Sequence, residues 1–73
     1  MKDEIILKFF AEKVRSIRDK KNLTQEQLAA LADTGRNTIS NIENEKFEPK
    51  LSTICRIIWA LEMNPNDFFP KSE

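Results

Sequence analysis

The chain is 73 residues long and carries 12 Lys and Arg against 12 Asp and Glu, with no histidine and one cysteine. A chain this short buries only about 60% of its unfolded surface, so residues 1–73 are expected to form a single small domain with no ligand-binding lobe. The residue counts exclude a disulfide framework and a His/Cys metal site, and they remove the usual base of hydrolytic chemistry. They point away from an enzyme, and no cofactor or small-molecule ligand is expected.

A hydrophobic share of 40% beside a charged share of 33% fits a soluble, helix-prone domain. The first apolar stretch, Ile5-Ile6-Leu7 then Phe9-Phe10-Ala11, is broken by Lys8 and preceded by Asp3-Glu4. It is too short to span a bilayer and lacks the charge pattern of a secretory leader. The expectation is a cytoplasmic protein, without membrane association, in which Cys55 stays a reduced thiol. Zero net charge is not the balance of a non-specific nucleic-acid binder, but the charges are unevenly spread. Residues 1–22 hold seven basic groups against four acidic ones, whereas 23–50 hold three against five and 51–73 two against three.

Apolar residues recur at helical spacing. Leu7, Phe10, Val14 and Ile17 lie on one face of a helix predicted over residues 4–21. Asn22-Leu23 interrupts it. Thr24 with Gln27 three residues on reads as a capping box, with Leu23 stapling onto Leu28, and starts a short second helix from Gln25 to Ala32. Asp33-Thr34-Gly35 forms a turn in which Gly35 supplies unusual dihedrals or a weak cap. A third helix is predicted from Arg36 to Asn44, with Ile39 and Ile42 inward. Residues 45–50 are a loop, with Phe47 expected to anchor it on the core. A fourth helix carries Leu51, Ile54, Ile57, Ile58 and Leu61, and Asn64-Pro65-Asn66-Asp67 has the cap, proline and acid of a short fifth helix closed by Phe68 and Phe69.

The informative feature is the pair of short helices joined by three residues. Ala29 and Ala32 are small enough for two backbones to approach closely, which leaves Arg36, Asn37, Ser40, Asn41 and Asn44 projecting from the other side of the third helix. An α-helix fits the major groove of B-DNA, where Arg donates in a fork to guanine and Asn pairs with adenine through two hydrogen bonds. A polar helix face is in many all-α domains simply solvated. This one, however, offers Asn, Ser and Thr where surface helices are usually rich in the stronger helix formers Glu and Lys, as if selected for something besides helix stability.

Residues 14–69 resemble the helix-turn-helix domain of Cro-type phage repressors, the Xre-like family. The match rests on Leu23-Thr24-Gln25-Glu26-Gln27-Leu28-Ala29, on Asn37-Thr38-Ile39-Ser40-Asn41-Ile42-Glu43-Asn44, and on Pro49, Leu51 and Ala60-Leu61 before a capped last helix. It implies an all-α, five-helix, lambda-repressor-like domain in which helices two and three form the helix-turn-helix. The implied function is sequence-specific transcriptional regulation by a homodimer on a palindromic operator, with the third helix in the major groove of double-stranded DNA. A restriction-modification controller protein fits this simplicity, as does a minimal phage repressor.

The resemblance assigns base-edge contacts to Arg36, Asn37, Ser40 and Asn41, and DNA-backbone contacts to Gln25, Thr38, Asn44 and Lys46. It implies a structural ion pair between Arg18 and Glu43. The chain departs from the family at Asp33 and Glu45, where glycine is usual, at Thr34, where an aliphatic residue is usual, and at Gly35, where a serine or threonine cap is usual. Asp tolerates the left-handed conformation such a turn demands. The basic run Arg15, Arg18, Lys20 and Lys21 reads as a solvated face, and Cys55 as a packing residue.

Trp59 falls off the apolar stripe of the fourth helix. With Met63, Phe68 and Phe69 it is expected to form an apolar patch serving as the dimer interface. In the rival reading, that same 59–69 surface belongs to an antitoxin-like protein-interaction module and binds a partner protein.

Overall fold

The computed structural model describes residues 2–71, and these form an all-α domain with no strand among them. Four α-helices occur: α1 (Asp3–Lys20), α2 (Gln25–Leu31), α3 (Arg36–Glu43) and α4 (Leu51–Ala60). Each matches the sequence expectation to within about a residue, because Lys21, Ala32, Asn44 and Leu61 act as C-caps.

The expected fifth helix is instead one 3-10 turn, Pro65–Phe68. Asn64 caps it, its side-chain oxygen accepting from the Asn66 N–H at 2.9 Å. The element cannot lengthen, because Pro70 disfavours the helical region for its predecessor and Phe69 is extended at φ −123°, ψ 139°. Four residues between two prolines suffice for one tight turn only.

The core gathers Phe10, Val14 and Ile17 of α1, Leu28 and Ala29 of α2, Ile39 and Ile42 of α3, and Ile57 and Ile58 of α4, with Ala32, Leu61 and Phe68 at or beyond helix ends. One expectation fails at the surface: Phe47 is exposed, and Pro49 is the residue its loop buries. Leu51 stands at the first position of α4 and is 75% exposed.

All four helices end alike. Asn22, Asp33, Glu45 and Glu62 take left-handed backbone at φ 52–58°. In each case the two N–H groups past the C-cap turn back onto the last turn of the helix: Leu23 to Arg18 O and Asn22 to Asp19 O after α1, for example, and Thr34 to Ala29 O and Asp33 to Ala30 O after α2. This is the Schellman arrangement, usually built on glycine. Here no glycine is used at any of the four positions, and Gly35 has an ordinary φ of −87° as the N-cap of α3.

Candidate nucleic-acid interface

The most extensive packing between elements is that of α2 on α3. Thr24 fixes the start of α2 through both halves of a capping box: its hydroxyl accepts from Gln27 N–H at 3.0 Å, and its own N–H donates to Gln27 Oε1 at 2.8 Å. Leu23, just before the cap, packs against the core that includes Leu28. Ala29 and Ala32 are buried where α2 meets α3, and the turn between them is closed by left-handed Asp33. At the end of α2, Arg56 of α4 reaches across and donates to Ala32 O at 3.0 Å, placing a cation on the negative end of the helix.

With Ile39 and Ile42 buried, the helical repeat turns Arg36, Asn37, Ser40, Asn41 and Asn44 to the other side of α3. Arg36, Asn37 and Asn44 are exposed, whereas Ser40, Asn41 and Thr38 are half-buried. Asn44 Nδ2 lies 3.4 Å from Ser40 Oγ, one turn apart on this face. Lys46 is exposed just past the end of α3. An open cleft of about 610 Å³ runs from the start of α2 to the start of α3, lined by Arg18, Thr24, Gln25, Glu26, Gln27 and Arg36. Gln25 and Arg36, assigned to phosphate and base respectively, thus border one concavity.

Glu43 closes the inner side of α3. Its side chain has no exposure, and it accepts from Arg18 Nε at 2.7 Å and Arg18 Nη2 at 3.0 Å, a fork on both carboxylate oxygens. Arg18 also donates through Nη1 to Leu23 O at 2.8 Å, tying the same guanidinium to the loop before α2. Burial alone pushes the Glu43 carboxyl up. The hydrogen bonds from Arg18 and Gln25, together with the charges of Arg18 and Arg15, outweigh it and hold the group below the ordinary carboxylate range. The hydrogen bond to Glu43 in turn raises Arg18, against the opposing effect of its own burial.

Two further residues join this carboxylate that sequence reasoning did not place there. Gln25 Nε2 donates to Glu43 Oε1 at 3.1 Å, so the side chain assigned to DNA backbone is also keyed to the interior. Arg15 Nε stands 3.5 Å from the same oxygen. Arg15 and Arg18 are three residues apart, a spacing that places them on one helix face, and this was the available signal.

The four residues assigned to a dimer interface are not equivalent. Trp59 is 70% exposed and Phe69 is 40% exposed, while Met63 is half-buried against the core. Phe68 is wholly buried and has no surface to offer a partner. Its ring lies 5.9 Å from that of Phe10, where it plugs the end of the core, because the 3-10 turn aims it inward. Phe69 instead stacks on Phe10 at 6.1 Å and 8°.

Two short helices crossed through small residues, the second presenting a polar face and keyed to the first helix by a buried ion pair, define a helix-turn-helix. The chain belongs to that family, whose helix-turn-helix domain model matches residues 11–71. It is 36% identical over 50 residues to the immunity repressor protein of Bacillus phage phi105, covering 68% of this chain and 35% of the repressor. The chain thus spans about a third of that relative's length. It is 42% identical over 59 residues to the control protein C.BamHI of Bacillus amyloliquefaciens, covering 80% of this chain and 73% of that protein. The crystal structure of the restriction-modification controller protein C.AhdI from Aeromonas hydrophila superposes with a TM-score of 0.82 at 30% identity, over 86% of this chain and 96% of that one. The family is one of DNA-binding transcription regulators, not of enzymes. Among the described residues no helix is long and apolar enough to cross a membrane.

Proposed function

We propose that the protein is a sequence-specific transcriptional regulator that binds a palindromic operator as a homodimer, with α3 in the major groove. The observation that carries the reading is the two-sidedness of α3. Ile39 and Ile42 are buried with Glu43 at their edge, while Asn37, Ser40 and Asn41 stand on the face away from the two isoleucines and exposed Arg36 flanks it at the first turn. Arg36, Asn37, Ser40 and Asn41 read base edges. Thr38, Asn44, Lys46 and Gln25 meet the backbone, which fixes the register without reading sequence. Exposed Trp59, with Met63 and Phe69, supplies the apolar surface for self-association, and a two-fold dimer meets half-sites about 34 Å apart. The kinship with control proteins and a phage repressor supports a regulator whose own concentration sets its occupancy.

The test is selection of bound duplexes from a random library at about 0.15 M salt, a concentration at which phosphate attraction alone is weak. Recovery of a two-fold symmetric motif is the expected result. On the selected duplex, Arg36→Ala relaxes preference at one base position per half-site and costs about 1–3 kcal/mol, whereas Lys46→Ala weakens all sequences evenly. If Arg36→Ala weakens selected and random DNA alike, the base-reading role is wrong. If the folded protein enriches no motif, the exposed Trp59 surface is the better guide, and a protein partner recovered at fixed stoichiometry would replace the operator.

A further inference from the structure

We propose that Arg15 of α1 is a DNA-backbone residue, forming with Gln25 a phosphate-binding pair organised by the buried carboxylate of Glu43. The inference rests on the operator-binding reading and adds to it a contact from outside the two helices of the helix-turn-helix.

The three donors on Glu43 are not used equally. Arg18 is 13% exposed, its Nε and Nη2 are on the carboxylate, and its Nη1 is on Leu23 O with Asp19 3.3 Å away. It has little left to offer a ligand. Arg15 is oriented but not consumed: its Nε stands 3.5 Å from Glu43 Oε1, and the side chain is 53% exposed. Among the described residues Arg15 donates no hydrogen bond as close as those of Arg18, so its planar guanidinium remains able to meet a phosphate.

Gln25 completes the pair. An ionised carboxylate only accepts, so the Gln25 amide must turn Nε2 toward Glu43, which leaves a second Nε2 proton for another acceptor. Arg15 Nε and Gln25 Nε2 approach the same atom, Glu43 Oε1, which Arg18 Nη2 also reaches, so the two side chains are gathered around one oxygen. Gln25 also borders the cleft that leads to Arg36, which links this carboxylate cluster to the start of the base-reading helix. Since Arg15 lies on α1 and not α3, its contact adds affinity and register but no sequence preference.

The experiment is a salt titration of binding to the selected duplex and to a scrambled one, for wild type, Arg15→Ala and Arg15→Lys, with thermal melting of each. Arg15→Ala is expected to weaken both duplexes by the same factor and leave the selected motif unchanged. It should also flatten log K against log salt by about 0.9 per protomer, an eightfold smaller loss of affinity per tenfold rise in salt. Arg15→Lys keeps the charge and is expected to restore the slope. Ethylation of one phosphate per half-site should impede the wild type more than Arg15→Ala, in which only Gln25 of the pair remains. An unchanged slope in Arg15→Ala overturns the proposal, as does weakened binding explained by a lowered melting midpoint with the slope retained. If wild type binds neither duplex, the operator reading itself has failed and this inference falls with it. That result is seen in the wild-type arm before any variant is compared.

Discussion

The two ends of this domain are held by different forces. Where α1 meets α2 and α3, one enclosed carboxylate gathers hydrogen bonds from Arg18 and Gln25 with Arg15 close by, and Glu43 itself sits on α3. Where α4 packs on α2 and the closing turn packs on α1, Ile57, Ile58, Leu61 and Phe68 extend the apolar core. Burial of apolar surface is non-directional, so it stabilises the second region without fixing angles tightly. Hydrogen bonds to a buried charge depend on distance and angle and leave few alternative positions. The directional contacts are therefore concentrated on the helices that the proposed function requires to be placed accurately.

The largest expected effects come from cutting either region at its centre. Phe68→Ala removes a wholly buried ring and is expected to lower stability by about 3–5 kcal/mol. Glu43→Ala strands Arg18 in a mostly enclosed site, with an expected loss of similar size, about 3–5 kcal/mol. Urea unfolding measures both. The comparison predicts that they part company in function: a Phe68→Ala protein kept folded by low temperature retains its DNA preference, while Glu43→Ala loses affinity even where it is folded. Equal loss of binding by the two folded variants would mean that the polar cluster does no more than the apolar one.

Acid separates the regions next. The Glu43 carboxyl is depressed in the folded protein, so its contribution is complete above the ordinary carboxylate value of about 4.3 and is lost as pH falls through the lower folded value. With no histidine in the chain, no side chain of that type titrates between neutrality and this range. Urea midpoints followed from pH 7 to pH 3 are expected to hold and then fall below about pH 4. Glu43→Gln, which cannot titrate, should be less stable at pH 7 and show a shallower acid decline. An acid decline as steep in Glu43→Gln as in wild type would assign the effect to other carboxylates.

How far the sequence anticipated each region follows from the range of the interactions. The four α-helices were legible because their 3-4 apolar spacing and the Thr24–Gln27 box act within a few residues. The exposure of Trp59 was legible for the same reason, being a departure from that spacing. The Arg18–Glu43 pair came only with the family resemblance, since its partners are 25 residues apart and nothing local joins them. Gln25 and Arg15 were missed on that carboxylate because their meeting depends on how α1 and α2 are packed. Phe68 was misplaced because a four-residue element between prolines is too short to display a period, and so gave no sign of which phenylalanine faces inward.

The smallest expected effects concern a feature the two regions share, the left-handed residue after each helix. Glu45 follows α3 and Glu62 follows α4, at φ 58° and 56°. A non-glycine residue pays about 1–2 kcal/mol for that conformation, and a carboxylate beside the negative end of a helix adds to the cost. Glycine removes both penalties but loses about 0.5–1 kcal/mol through its greater freedom when unfolded. Glu45→Gly and Glu62→Gly are therefore each expected to raise stability, by about 0.5–1 kcal/mol, read as a higher urea midpoint. Their effects on binding should differ. Glu45 lies between Asn44 and Lys46, both assigned to phosphates, so removing its charge should strengthen affinity for DNA of any sequence and steepen the salt dependence. Glu62 lies between the C-cap of α4 and Met63, away from those residues in sequence, and its replacement should leave DNA affinity alone. Equal strengthening by both variants would indicate general electrostatic attraction to the whole domain and would remove the distinction between a DNA-facing region and a supporting one.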